Sequence, residues 1–241
     1  MMSRKSMLSY QWFGAVCLVL LSCLSFSSMN AAEITSDENA SVEELNFQVF
    51  LDDREVGFHN FRVEQVADTQ TIDIDANFKI TLLKVPIYRY QHTNREVWRN
   101  GCLQSIRSST DANGEQFNVD GAGDAAEFTV NTAEKSDVLD DSCIMTFAYW
   151  SKDFLDQQKL LNSQNGEWLT VEIDFIGVEE IDVGSGKVAA KKYRIRDVDS
   201  ELDIAVWYED TTDRWLSLES RVKGDRLLRY FPIPANTDAS P

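Results

Sequence analysis

The chain has 241 residues, a formal net charge of −17 at pH 7 and 43% hydrophobic content. That length suits one large domain or two small ones, and no low-complexity linker divides it, which favours one. So negative a chain repels phosphate backbones and anionic lipid heads, which argues against nucleic-acid binding.

Arg4 and Lys5 open the chain with positive charge, and Phe13 to Leu21 is an apolar run too short to span a bilayer. Small and polar residues follow, ending in Ala31-Ala32. Residues 1–32 therefore read as a secretory signal segment. The mature protein is expected to be exported, to the periplasm or the periplasmic face of the outer membrane. Two cuts stay open. Cleavage after Ala32 leaves Asn30 at the third position back, a poor small-residue match. Alternatively, Leu20-Leu21-Ser22-Cys23 resembles a lipoprotein box with Cys23 lipidated, although its second Leu departs from the usual small residue. No later stretch is apolar enough to cross a membrane, so membrane contact is expected only through such an anchor.

Residues 33–44 are acidic and polar and read as a disordered lead-in. Leu45 to Leu51 reads as a strand, Asp52-Asp53-Arg54 as a turn, and Val56 to Gln65 as the hairpin partner. Gly57 marks a bulge or a close backbone approach. Thr71 to Leu82 alternates strictly, with Ile72, Ile74, Ala76, Phe78, Ile80 and Leu82 on one face. After Lys84-Val85-Pro86 the alternation resumes, and Tyr88, Tyr90, His92, Asn94, Glu96 and Trp98 share a face. A period of two over these lengths predicts two long neighbouring strands.

Asn100-Gly101 is a hairpin-turn signal. Cys102 to Thr110 returns as a strand, and 116–120 with 127–131 form a further hairpin. Thr132 to Asp141 reads as acidic loop. Cys143 to Trp150 is dense in apolar bulk without a clean period and is expected to be buried, plugging one end of the sheet. Ser151 reads as an N-cap with Asp153 in the first turn, which predicts a short helix to about Leu161. A second β series follows: Trp168 to Phe175, Val178 to Val183, Lys187 to Arg196, Leu202 to Glu209, Arg214 to Val222 and Leu227 to Phe231. Residues 232–241 read as a frayed tail.

About eleven to thirteen strands in sequence, with short turns, predict a mainly β domain over residues 45–231. Long strands joined to near neighbours favour a single curved antiparallel sheet, an up-and-down half-barrel with one short helix. Its apolar concave face must be filled by side chains, a helix or a ligand. Cys102 and Cys143 are the only thiols of the mature domain unless Cys23 also stays. In an oxidising compartment they are expected to pair, which in the chain-entropy model stabilises by about 4 kcal/mol.

The chemistry-bearing residues are few. His59 and His92 are the only histidines. His92 and Glu96 are four residues apart on one strand, roughly 13 Å, too far to share an ion. No metal, cofactor or catalytic residue is assigned. An acid–base pair built on His92 or Glu96 stays an enzyme alternative. The aromatic row Tyr88, Tyr90 and Trp98, joined later by Trp207, reads either as sheet core or as the lining of a pocket for an apolar molecule, with His92 and Glu96 supplying polar contacts.

Several pieces together resemble a known family. They are Leu51-Asp52-Asp53 with Val56-Gly57-Phe58-His59; Tyr88-Arg89-Tyr90-Gln91-His92 with Glu96 and Trp98; Phe147-Ala148-Tyr149-Trp150; Leu160 to Gln164 with Gly166; and Val206-Trp207-Tyr208. This set resembles an uncharacterised family of exported bacterial proteins, domain-of-unknown-function family 6134, over about Leu45 to Phe231. The resemblance implies a curved antiparallel domain similar in shape to the half-barrels of periplasmic lipoprotein carriers. It supplies no activity to transfer. The expected function is a carrier of a hydrophobic or lipid-like ligand. The alternatives are an envelope assembly factor that binds another protein, and an enzyme acting through His92 and Glu96.

Overall fold

The computed structural model describes residues 40–82, 85–123, 127–184, 186–199, 202–222 and 224–233. The signal segment and the Cys23 site lie outside them, as does the tail beyond residue 233.

Strict alternation produces long strands. In chain order they are β1 (Ala40–Leu51), β2 (Arg54–Val66), β3 (Thr69–Leu82), β4 (Val85–Arg99), β5 (Cys102–Ala112), β6 (Glu115–Gly123) and β7 (Phe128–Asn131). The second half holds β8 (Ser136–Leu139), β9 (Lys159–Leu161), β10 (Trp168–Asp182), β11 (Lys187–Asp197), β12 (Asp203–Glu209), β13 (Trp215–Val222) and β14 (Arg226–Pro232). All fourteen join one antiparallel sheet in the order β8-β7-β6-β5-β4-β3-β2-β1-β14-β13-β12-β11-β10-β9. The curved, mainly β architecture is as expected.

Several details differ from the expectation. The segments Trp168 to Phe175 and Val178 to Val183 are one strand, β10, with a register shift between Phe175 and Gly177. The lead-in of residues 33–44 is shorter, because β1 already begins at Ala40 and pairs there with Val66. The acidic loop of 132–141 contains β8. The helix is a single 3-10 turn, Lys152–Asp156, capped by Ser151, whose hydroxyl accepts from the Asp153 amide. It ends at Gln157 because Lys159–Leu161 is drawn into the sheet as β9, where Leu160 and Leu161 are buried. Finally, the first and last strands pair, with Phe47 opposite Pro232 and Leu51 opposite Leu228. The first and last strands therefore lie in the middle of the sheet, and its margins are β8 and β9 from mid-chain.

The turns follow their residues. Asn100-Gly101 and Asn113-Gly114 all have positive φ, as two-residue hairpin turns of right-handed twist require. Gly57 has φ +154°, and a Cβ there would lie 1.8 Å from the Asn77 carbonyl oxygen. This is the close approach that lets β2 and β3 pack beside the register shift at Val49/Phe50.

The concave face is filled from both halves. Phe47 lies 4.2 Å from Trp215 between ring centroids, and Phe61 5.1 Å from the same indole. Residues 143–150 cross this face as a plug, with Ile144, Met145, Thr146 and Ala148 buried. The plug is fixed to β5 by Leu103 N donating to Ile144 O, and to β9 by Leu161 N donating to Met145 O. On the far side the Tyr208 hydroxyl donates to the Tyr149 carbonyl at 2.9 Å. Cys102 and Cys143 are joined by a disulfide that tethers the plug's start to the β4–β5 turn. Each fully buried large side chain here stabilises by roughly 1.5–3 kcal/mol.

Candidate functional site

β4 carries the predicted row on the concave face. Its burial is graded. Trp98 and Glu96 are 1% exposed, Asn94 4% and His92 5%, whereas Tyr90 and Tyr88 are only partly buried. Cross-strand register extends each position into a row over neighbouring strands. His59, Ala76, His92, Thr110 and Phe117 stand side by side from β2 to β6. One step deeper stand Phe61, Ile74, Asn94, Ser108 and Val119. One step outward stand Gly57, Phe78, Tyr90 and Ala112.

The deep end is closed. Glu96 accepts from Asn94 Nδ2 and Trp98 Nε1, both at 2.8 Å, and from the Thr146 hydroxyl of the plug at 3.3 Å. Burial pushes the Glu96 carboxyl up, and these three donors pull it back down. A carboxylate that receives three hydrogen bonds and touches no open space is a structural joint between β4 and the plug. The expected hollow is therefore occupied here, and Glu96 and Trp98 are sealed beneath residues 143–150.

The middle of the row is polar. His92 Nδ1 lies 2.8 Å from the Thr110 hydroxyl, and that hydroxyl donates to the Gln164 carbonyl at 3.2 Å. Because Thr110 spends its proton on Gln164, His92 must donate through Nδ1–H, which fixes its tautomer. Ser108 donates to the Ser163 carbonyl and Tyr90 to Gln164 Oε1, so the loop of residues 162–166 roofs the β4–β5 side. His59 Nδ1 lies 3.1 Å from the Tyr230 hydroxyl. Only Ala76 stands between the two imidazoles on the sheet. Burial pushes His92 down to about 4; burial and then the neighbouring His92 push His59 down to about 3. Both rings are neutral at pH 7. His59 Nε2 and Asn94 Oδ1 are buried and have no hydrogen-bond partner among the described residues.

The open end is aromatic. Tyr90 stacks on Phe78 with centroids 5.2 Å apart and lies 6.2 Å from His92. Tyr88 pairs with Ile80 one step further out. At the same end a depression of about 390 Å³ has Leu51, Val56, Ile80 and Ile87 as its apolar residues, rimmed by Asp52, Arg54, Glu55, Lys79 and Arg226. Asp52 holds this rim together by accepting from Leu227 N and Arg226.

Of the predicted residues, the structure brings Tyr88, Tyr90, His92, Glu96 and Trp98 into one line. Trp207 is not among them. It lies in a smaller cluster with Val183, Ala190 and Leu216, its Nε1 donates to Glu179 Oε1 at 2.8 Å, and the Lys192 ammonium sits 4.6 Å over its ring. Adjacent strand residues face opposite ways, so the inward Tyr208 leaves Trp207 on the other face of β12. Thr110, Ser108, Thr146 and Gln164 complete the line but carried no local signal. Their partners are 18 to 74 residues away.

A family model described as a domain of unknown function, DUF6134, matches residues 47–230. The chain belongs to this family. No curated protein matches it. Among solved structures, this DUF6134 chain is similar to a β-barrel-like protein of domain of unknown function DUF1849 from Brucella abortus, with TM-score 0.57 and 10% identity over 79% of this chain and 94% of that one. At that identity the likeness shows the fold alone. A DUF1329 family protein from Desulfovibrio piger aligns over 86% of this chain and 89% of that one at 8% identity, with TM-score 0.25.

Proposed function

We propose that this DUF6134 protein is an exported, non-enzymatic binding module that holds a single-chain amphiphile at the open end of its half-barrel. The observation that carries the reading is the grading of the β4 row. Half-buried rings at Tyr88, Tyr90 and Phe78 lead inward to two neutral histidines, so that polarity and burial rise together along the row. A chain of methylenes suits the rings and the apolar floor formed by Leu51, Val56, Ile80 and Ile87, and a polar head group suits the charged rim of Arg54, Lys79 and Arg226. The depression of about 390 Å³ at the same end, whose wall is Ile80 and Ile87 rather than the rings themselves, is at the small end of ligand-site volumes, which favours one acyl chain over a whole two-chain lipid. The buried, fully engaged Glu96 speaks against an acid–base role, since no substrate reaches it.

The test is native mass spectrometry of protein purified from its own host, followed by titration with a dansyl-labelled fatty acid. The reading expects a bound mass or probe uptake, with Tyr90→Ala and Tyr88→Ala each weakening uptake about tenfold. A clean unliganded mass together with no probe uptake would overturn it.

A further inference from the structure

A second feature stands apart from the open end and holds whether or not an amphiphile binds there. β10 is 15 residues long, yet β9 pairs only with Trp168, Leu169 and Thr170. From Glu172 to Asp182 the strand is laddered to β11 on one side. Its other side meets no strand among the described residues, because β9 ends the sheet. On this free stretch Phe175, Ile176 and Val178 are 58%, 54% and 54% exposed. An unpaired strand edge with exposed apolar side chains is a template for another strand.

The charges decide what fits. Glu172 and Asp174 are already paired with Arg196, at 3.2 and 2.7 Å, and Glu179 with Lys192 at 3.3 Å. Glu180 and Asp182 are exposed and form no ion pair among the described residues, and they share a face with Val178 at period two. A second copy of β10 would set this run of acids against itself, and like charges directly opposite are destabilising. We propose that the Glu172–Asp182 edge receives an extended segment of another protein as an added strand. The face of that segment is apolar opposite Phe175 and Val178 and basic opposite Glu180 and Asp182. Main-chain hydrogen bonds supply the affinity, and the two side-chain zones supply the selectivity.

The test uses the full chain and a labelled peptide of roughly ten residues. Threonine alternates with valine in one half of the peptide and with lysine in the other. A second peptide carries glutamate for lysine, and a third carries a central proline. Fluorescence anisotropy reads affinity, and amide hydrogen exchange reads position. The lysine peptide is expected to bind about tenfold tighter than either other peptide and to slow exchange at residues 172–182. The double variant Glu180→Lys with Asp182→Lys, which touches only exposed side chains, is expected to invert the lysine–glutamate preference. Equal binding of the proline peptide means charge attraction without strand addition and overturns the proposal. So does protection elsewhere in the sheet, or self-association of the protein through the same residues.

Discussion

Trp98 and Glu96, two residues apart on one face of β4, are locked by a 2.8 Å hydrogen bond from the indole Nε1 to the carboxylate, both side chains being 1% exposed. Asn94 Nδ2 and the Thr146 hydroxyl complete the set. Removing the acceptor strands three donors. Glu96→Ala is therefore expected to cost about 3 kcal/mol in urea-unfolding free energy at pH 7. Glu96→Gln is expected to stay within about 1 kcal/mol of the parent. Its amide oxygen still accepts from Trp98 and Thr146, and a rotated Asn94 amide offers its now unpartnered Oδ1 to the new NH2. Equal loss in the two variants would refute the joint.

Acid should weaken the fold through the histidines. His92 and His59 are held neutral in the folded state, near 4 and near 3, against an ordinary 6.5. A lowered histidine contributes stability that is fully present above 6.5 and is lost as pH falls toward the folded value, because the unfolded chain binds the proton first. For His92 the loss amounts to about 3 kcal/mol by pH 4. Glu96 acts in the opposite direction. Its raised carboxyl costs stability as pH climbs above the ordinary 4.5. Urea midpoints measured from pH 7 to pH 4 should fall in the parent and fall less steeply in His92→Gln; identical slopes would exclude buried His92 as the source.

The Cys102–Cys143 disulfide closes a loop with a sequence separation of 41. In the chain-entropy model its removal costs about 4 kcal/mol. The double substitution Cys102→Ser with Cys143→Ser should lower Tm, and a reductant should lower the parent's Tm by a similar amount while leaving the variant unmoved.

Gly57→Ala should be among the most damaging small substitutions. Its methyl would sit 1.8 Å from the Asn77 carbonyl oxygen, on backbone atoms that cannot swing aside. A loss of about 3 kcal/mol or more is expected by chemical denaturation. Gly114→Ala, which meets nothing within 4 Å, should lose far less, and that residual loss measures its positive φ alone.

The inner row of β4 was legible because period-two alternation needs no knowledge of the rest of the chain, and the disulfide because Cys102 and Cys143 are the only cysteines beyond residue 32. What alternation cannot supply is the partner of a strand far away in sequence. Nothing near Phe47 announces that Pro232 lies opposite it, so alternation predicts an up-and-down sheet without saying that its first and last strands pair. The same blindness hid Thr110, Ser108 and Gln164, which earn their roles only once the loop of residues 162–166 lands on β5. Trp207 misled for a local reason. It shares an aromatic stretch with Tyr208, but the two are adjacent on β12, so the inward Tyr208 puts Trp207 on the opposite face. The Ser151 cap predicts helix as far as Lys159–Leu161, but pairing with Trp168–Thr170 outweighs the short helical spacing there.

The central pairing of β1 with β14 also orients the molecule. Ala40 sits at the end of the barrel where Trp98 and the β2–β3 turn lie, whereas Tyr88 belongs to the opposite rim with the Asp52 hairpin. The two poles therefore differ in kind: one is shut by Trp98 packed against Trp150, and the other shows water the charged hairpin of Asp52 and Arg226.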